Sequence, residues 1–169
     1  MQLSAEQETC IEQAIDPARR IFAVTGPAGT GKTTIIKQIY EQLDASDTLR
    51  PVVCAPTGKA AKRIREATGV PAVTIHKLLE YSRPGDRDPK TGEALEGSIP
   101  KRDKETPLNY NVVLVDEYSM VNHELNRNLI DALPRGGRLI IFGDLSQLPP
   151  IEKYQIMNAS GSPFQEHLN

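Results

Sequence analysis

The chain has 169 residues and a formal net charge of −2. That length supports one domain with a buried core, and the near balance of charge excludes a globally basic nucleic-acid binder, so any such surface is local. Cys10 and Cys54 are too few and too scattered for a disulfide framework or a zinc site, no apolar stretch approaches the ~18 residues of a membrane span, and the first residues lack a signal pattern.

Ser4 to Ile15 reads as a helix. Ser4 and Gln7 have capping-box spacing, Ile11, Ala14 and Ile15 make an apolar stripe, and Asp16-Pro17 ends the element. Arg20 to Thr25 is a first strand. Thr33 to Leu43 has a helical pattern, Pro51 to Ala55 is a second, continuously apolar strand, and Thr57 to Thr68 is a helix closed by Gly69. Val73 to Tyr81 is a short helical or mixed element. Residues 82–108 are polar and rich in Pro and Gly, with a turn signal at Asp88 to Glu93; they read either as an inserted, pin-like hairpin or as a mobile surface loop. Asn111 to Val115 is a third buried strand, Asn122 to Leu133 a helix, and Arg138 to Phe142 a fourth strand. Gly143 to Asn169 is irregular. Apolar strands alternating with helices predict an α/β fold, a parallel sheet covered on both faces. Cys54 falls in such a strand and is expected to be a buried thiol, with a reducing cytosol the simplest setting, no disulfide partner and no membrane.

Between the first strand and its helix lies Gly26-Pro27-Ala28-Gly29-Thr30-Gly31-Lys32-Thr33. It fits the phosphate-loop pattern G-x-x-x-x-G-K-[ST] without a mismatch, in the strand–loop–helix setting that the pattern requires. Glycines let the backbone turn tightly and aim its N–H groups inward, and the following helix end attracts phosphate. The chemistry predicted is nucleoside triphosphate binding by residues 26–34, Thr34 included. Lys32 reaches the β- and γ-phosphates and the Thr33 hydroxyl meets Mg²⁺. The third strand ends in Asp116-Glu117. Asp116 is placed to hold the Mg²⁺, and Glu117 to polarise a water for attack on the γ-phosphate. Gln147, beyond the fourth strand, has the side chain to sense the γ-phosphate.

These blocks resemble superfamily 1B DNA helicases of the RecD-like and Dda-like kind. Gly26 to Thr33 resembles motif I, Cys54-Ala55-Pro56-Thr57-Gly58-Lys59-Ala60-Ala61 motif Ia, Thr74-Ile75-His76 the T-x-H segment, Val115-Asp116-Glu117-Tyr118-Ser119-Met120 motif II, and Gly143-Asp144-Leu145-Ser146-Gln147-Leu148-Pro149-Pro150 motif III. The resemblance implies a RecA-like P-loop ATPase domain that binds ATP, Mg²⁺ and single-stranded DNA, with 5′-to-3′ movement. It implies catalytic roles for Lys32, Glu117 and Gln147, an adenine contact at Gln7 alongside its capping box, and DNA contacts at Pro56, Thr57, Gly58, Lys59, Thr74 and His76. Lys62, Arg63 and Arg65 read as a solvated helix face that can extend a basic stripe. The family's motor needs a second RecA-like domain that supplies an arginine to the transferring phosphate, and no Arg occurs after Arg138. The chain is therefore expected to be the N-terminal half of such a motor. A nucleotide kinase and a non-catalytic, nucleotide-dependent DNA-binding adaptor are the rival classes.

Overall fold

The computed structural model describes residues 2–26 and 31–144. Pro27, Ala28, Gly29 and Thr30 of the phosphate loop, Gln147, and the rest of 145–169 lie outside the described residues.

The elements run α1 (Ala5–Ile15), β1 (Ile21–Thr25), α2 (Lys32–Asp44), β2 (Pro51–Ala55), α3 (Gly58–Thr68), β3 (Ala72–Thr74), α4 (Ile75–Leu78), β4 (Val112–Val115), α5 (His123–Ala132) and β5 (Arg138–Gly143). A single 3₁₀ turn, Tyr118–Met120, follows β4. The five strands form one sheet in the order β1-β5-β4-β2-β3, and every pairing is parallel. Registers such as Thr25↔Gly143, Val115↔Ile141, Cys54↔Val115 and Ala55↔Thr74 bring the strands' carboxyl ends into line.

Strand alternation sorts the apolar side chains into two layers. Val53, Ala55, Leu114, Ile140 and Phe142 face α1, α2 and α3, packing against Ile11, Ile35, Ile36, Ile39 and Ile64. Val52, Cys54, Val113, Val115, Leu139 and Ile141 face the other way, against Ile75, Leu79, Leu125 and Leu129. Helices thus cover both faces, as the continuous apolar strands predict. Burying each large aliphatic side chain favours folding by ~1.5–3 kcal/mol. Cys54 is fully buried, and burial alone pushes its thiol pKa far up, so it behaves as a small core hydrophobe.

Local signals set the helix starts. Side-chain oxygens of Ser4, Thr57, Thr74 and Asn122 accept from backbone N–H groups at the starts of α1, α3, α4 and α5. Gly69, at φ 73°, closes α3. The mixed element expected over Val73–Tyr81 resolves into β3 and the four-residue α4, because Thr74 both ends the edge strand and caps the turn.

Residues 82–108 form a turn-rich excursion. The Arg87↔Ala94 antiparallel bridge and the Asp88 N–H bond to Glu93 O (2.9 Å) make its hairpin-like tip. Ser82 staples its base by accepting from Ile99 N–H (2.8 Å) and donating its hydroxyl to Gly97 O (3.1 Å). The tip is built from Asp88, Pro89, Lys90, Thr91, Gly92 and Glu93, with no aromatic side chain.

Arg138, read from sequence only as the start of a strand, has a structural task. Its buried guanidinium donates to the carbonyls of Ala14 (2.6 Å), Arg19 (3.3 Å) and Ile15 (3.4 Å), tying the end of α1 to β5. Burial lowers its pKa while the Asp16 carboxylate opposes that shift. Arg138→Met keeps the aliphatic stem and leaves those carbonyls without their donor, so the chain should lose ~1–3 kcal/mol of stability. A lowered urea midpoint at unchanged slope is the expected result; an unchanged midpoint contradicts the assignment.

Candidate functional site

In an open parallel sheet, ligands bind beyond the carboxyl ends of the strands. The described candidate residues gather there. Gly26 follows β1, Asp144 follows β5, Asp116 and Glu117 follow β4, Pro56 and Thr57 follow β2, and Thr74 ends β3. Neighbouring strands lie ~4.8 Å apart, so this edge spans ~19 Å from the phosphate loop to Thr74. The acids sit between the two ends.

At the β1 end, α2 starts differently from its neighbours. Its N-cap is Gly31 at φ 82°, with no side-chain cap and no acidic residue in the first turn. Its leading N–H groups and positive dipole end therefore have neither a side-chain cap nor an acidic neighbour in the first turn. Lys32 reaches back to the end of β1, donating from Nζ to Gly26 O at 2.6 Å. Thr33, in the first turn, is exposed, and Thr34 is partly buried. Gln7 reaches this place from α1. Both capping-box bonds form, Ser4 N–H to Gln7 Oε1 (2.9 Å) and Gln7 N–H to Ser4 Oγ (3.2 Å). The other end of the carboxamide lies against Gly31, where a Cβ would come within 2.5 Å of Nε2. Gly31 is thus required twice, by its left-handed backbone and by the Gln7 amide.

Asp116 is anchored through its backbone, its N–H donating to Cys54 O (2.9 Å) on the neighbouring strand. Desolvation is the main influence on its carboxyl and raises the pKa. The Glu117 backbone N–H bond opposes this, the Glu117 charge adds to it, and the positive charges of Lys32 and Arg63 oppose it. Lys32 is close enough for its charge to act on Asp116. Glu117 occupies the left-handed region (φ 52°, ψ 40°), uncommon for a residue with a side chain and recurrent at functional sites. Just after it, Tyr118 is fully buried with its hydroxyl hydrogen-bonded to Asn126, so the chain leaving Glu117 is fixed.

The α3 side holds the remaining candidates. Thr57 Oγ1 accepts from Ala60 N–H (3.2 Å), leaving its hydroxyl proton to donate elsewhere. Gly58 and Lys59 are exposed and Pro56 is partly buried beside them. Thr74 caps α4 through Lys77 N–H (3.1 Å), and His76 is exposed with its ring 4.6 Å from that of Tyr81. Lys62, Arg63 and Arg65 are all exposed, as a solvated helix face predicts, and each still has a partner. Lys62 pairs along the helix with Glu66, Arg65 donates to Ala72 O (2.6 Å), and Arg63 reaches across to Glu117, 3.7 Å from NH1 to Oε1. Helical spacing reveals the first of these contacts; the others need the tertiary fold.

An all-parallel sheet with helices on both faces, a glycine-started helix after the first strand and paired acids after β4 fit the α/β P-loop NTPase fold of RecA-like type. The chain belongs to the AAA domain family, whose match spans residues 7–153. Its similarities place it with the N-terminal RecA-like domain of superfamily 1B helicases. It is 39% identical over 150 residues to the ATP-dependent RecD2 DNA helicase of Deinococcus radiodurans, covering 89% of this chain and 19% of that protein. It is 32% identical over 159 residues to the ATP-dependent DNA helicase dda of Enterobacteria phage T4, covering 93% of this chain and 34% of that protein. Among solved structures, Bacteroides sp Pif1 in complex with ADP-AlF4 superposes with a TM-score of 0.60 at 27% identity, over 97% of this chain and 38% of that one. The Candida albicans Pif1 helicase gives 0.64 at 26%, over 99% and 38%. The chain thus spans a fifth to a third of the length of these two curated relatives.

The raised pKa of Asp116 has a consequence for stability. The folded chain holds this proton more tightly than the unfolded chain does. That contribution is complete below the unfolded pKa and is lost as pH rises through the folded one, so at neutral pH the ionised carboxylate costs stability. Asp116→Asn should therefore raise the Tm of the ligand-free protein at pH 7, with the gain shrinking as the pH approaches about 3. A lowered Tm at pH 7 would show that the carboxylate is instead a structural partner.

Proposed function

We propose that this chain is the nucleotide-binding motor domain of an ATP-driven DNA helicase, grasping Mg·ATP at the β1 and β4 ends of the sheet and single-stranded DNA at the β2 and β3 ends. The observation that carries the reading is the joint placement of Lys32 and Asp116 at one carboxyl edge, with Thr57 one strand further on. The relatives' names support an ATP-dependent DNA helicase over a kinase or an adaptor.

In this reading the triphosphate's tail lies along Gly26–Thr34, and Lys32 exchanges its bond to Gly26 O for the β- and γ-phosphate oxygens. Gln7, already against Gly31, presents its carboxamide to adenine. The oxygen donors Thr33 and Asp116 fit a hard divalent cation, and Mg²⁺ bound there would neutralise phosphate charge. Glu117 orients and polarises the attacking water. Gln147 reports the γ-phosphate. Pro56, Thr57, Gly58, Lys59, Thr74 and His76 receive the strand, with the Thr57 hydroxyl and the Lys59 ammonium meeting phosphates. A second RecA-like domain, in cis or in trans, closes on the nucleotide and contributes an arginine, a group worth orders of magnitude in rate. Alternate closing and release then moves the motor along the strand, 5′-to-3′ by the family resemblance. By the family resemblance, residues 82–108 serve as a strand-separating pin. Their charged, aromatic-free tip suits steric splitting better than stacking on a base. The setting proposed is the cytosol.

Lys32→Ala should weaken Mg·ATP binding by at least tenfold in titration calorimetry, equivalent to ~1.4 kcal/mol, while ligand-free stability stays near that of the parent. Glu117→Gln should retain the parent's nucleotide affinity. Equal affinity in Lys32→Ala and the parent would refute the nucleotide site.

A further inference from the structure

Glu117 is held from three directions. Before it, Asp116 is tied to β2 through Cys54 O; after it, Tyr118 is buried and bonded to Asn126; and its own backbone is left-handed. With the main chain fixed, the place of the carboxylate is decided by its side-chain torsions. The charged partner that the structure gives it is Arg63 of α3. Arg63 also acts on Asp116, where its charge opposes the upward pKa shift.

Arg63 is two-thirds exposed and 3.7 Å from the Glu117 oxygen, longer than a hydrogen bond. A pair this open adds little to stability. Its geometry matters more. Arg63 lies on the second turn of a helix whose first residue follows the Thr57 cap, and the strand that leads into Thr57 is hydrogen-bonded to the strand that leads into Glu117. Of the cations next to it, Lys62 pairs along the helix with Glu66 and Arg65 donates to Ala72 O.

We propose that Arg63 is a positioning residue for Glu117, an electrostatic tether that makes the carboxylate's placement depend on what occupies the N-terminus of α3. A single strand seated at Thr57 and Lys59 brings phosphate charge to that helix end and draws Arg63 toward it. The Glu117 carboxylate is thereby released to turn toward the attacking water. Strand binding and hydrolysis are then linked inside one domain. The inference rests on the nucleotide and strand sites proposed above.

The test uses the full 169-residue chain as the parent, Arg63→Ala and Arg63→Lys. First, Mg·ATP affinity is measured by calorimetry, and single-turnover hydrolysis is followed with chain in excess over radiolabelled ATP, with and without an oligothymidylate. The parent, without the second domain's arginine, should hydrolyse slowly, and faster with the oligonucleotide than without it. Arg63→Ala should be indifferent to it, with nucleotide affinity within twofold of the parent, and Arg63→Lys should recover part of the response. Second, the Glu117 side-chain carboxyl resonance is followed by NMR in glutamate-labelled chain, a readout that needs no turnover. Adding oligothymidylate should move it in the parent and leave it in place in Arg63→Ala. An oligonucleotide response that survives in Arg63→Ala, in either the rate or the carboxyl resonance, overturns the tether. A parent resonance that does not move on saturation with the oligonucleotide overturns it also. A parent chain that fails to bind Mg·ATP overturns the nucleotide reading instead, and the carboxyl resonance still decides the tether.

Discussion

The parallel register of the five strands is the constraint from which the rest follows. Because β2, β4 and β5 are buried on both faces, their side chains cannot be shifted by one residue without exchanging the two packed layers, and register is strongly fixed. Because all five run the same way, five connections leave from the same edge. The phosphate loop, the acid pair and the two threonine caps are distant in sequence, yet the sheet order sets them side by side, with Asp116 and Glu117 in the middle.

Local devices then adjust that edge for ligands rather than for stability. Gly31 leaves the start of α2 without a side-chain cap, whereas Thr57 and Thr74 cap their helices and keep a hydroxyl proton to offer. Glu117 holds a backbone conformation that most side chains avoid, and Asp116 keeps a carboxylate where desolvation opposes its charge. The Gly31, Glu117 and Asp116 choices each disfavour the folded chain slightly, whereas the two threonine caps favour it. The stability is recovered elsewhere, in the aliphatic layers on both faces of the sheet and in the Arg138 bonds to the end of α1.

Much of this could be read from the sequence, and the reasons are physical. The apolar runs at Pro51–Ala55, Asn111–Val115 and Arg138–Phe142 belong to strands buried on both faces, so no polar alternation obscures them. Ser4, Thr57 and Asn122 announce their helices because capping is a contact between near neighbours. The three-residue β3 could not be read, being too short for periodicity, and its pairing with β2 defines it. Nor could the roles of Arg63 and Arg138 be read. Both depend on partners far along the chain, and an arginine's side chain in a helix or at a strand start gives no local sign of which carboxylate or carbonyl it will meet. The Gln7 carboxamide needed both kinds of information. Spacing gives its capping bond with Ser4, and only the fold gives its approach to Gly31.

The most direct test of this account is the location of the bound metal–nucleotide. With Mn²⁺ in place of Mg²⁺, the ADP complex of the isotopically labelled chain should broaden the amide resonances of Gly31, Lys32, Thr33, Asp116 and Glu117 most strongly, leaving Thr68 and Gly69 at the far end of α3 sharp. Broadening centred away from those five residues, or strong at the phosphate loop and absent at Asp116 and Glu117, would contradict a single site shared by the loop and the acids.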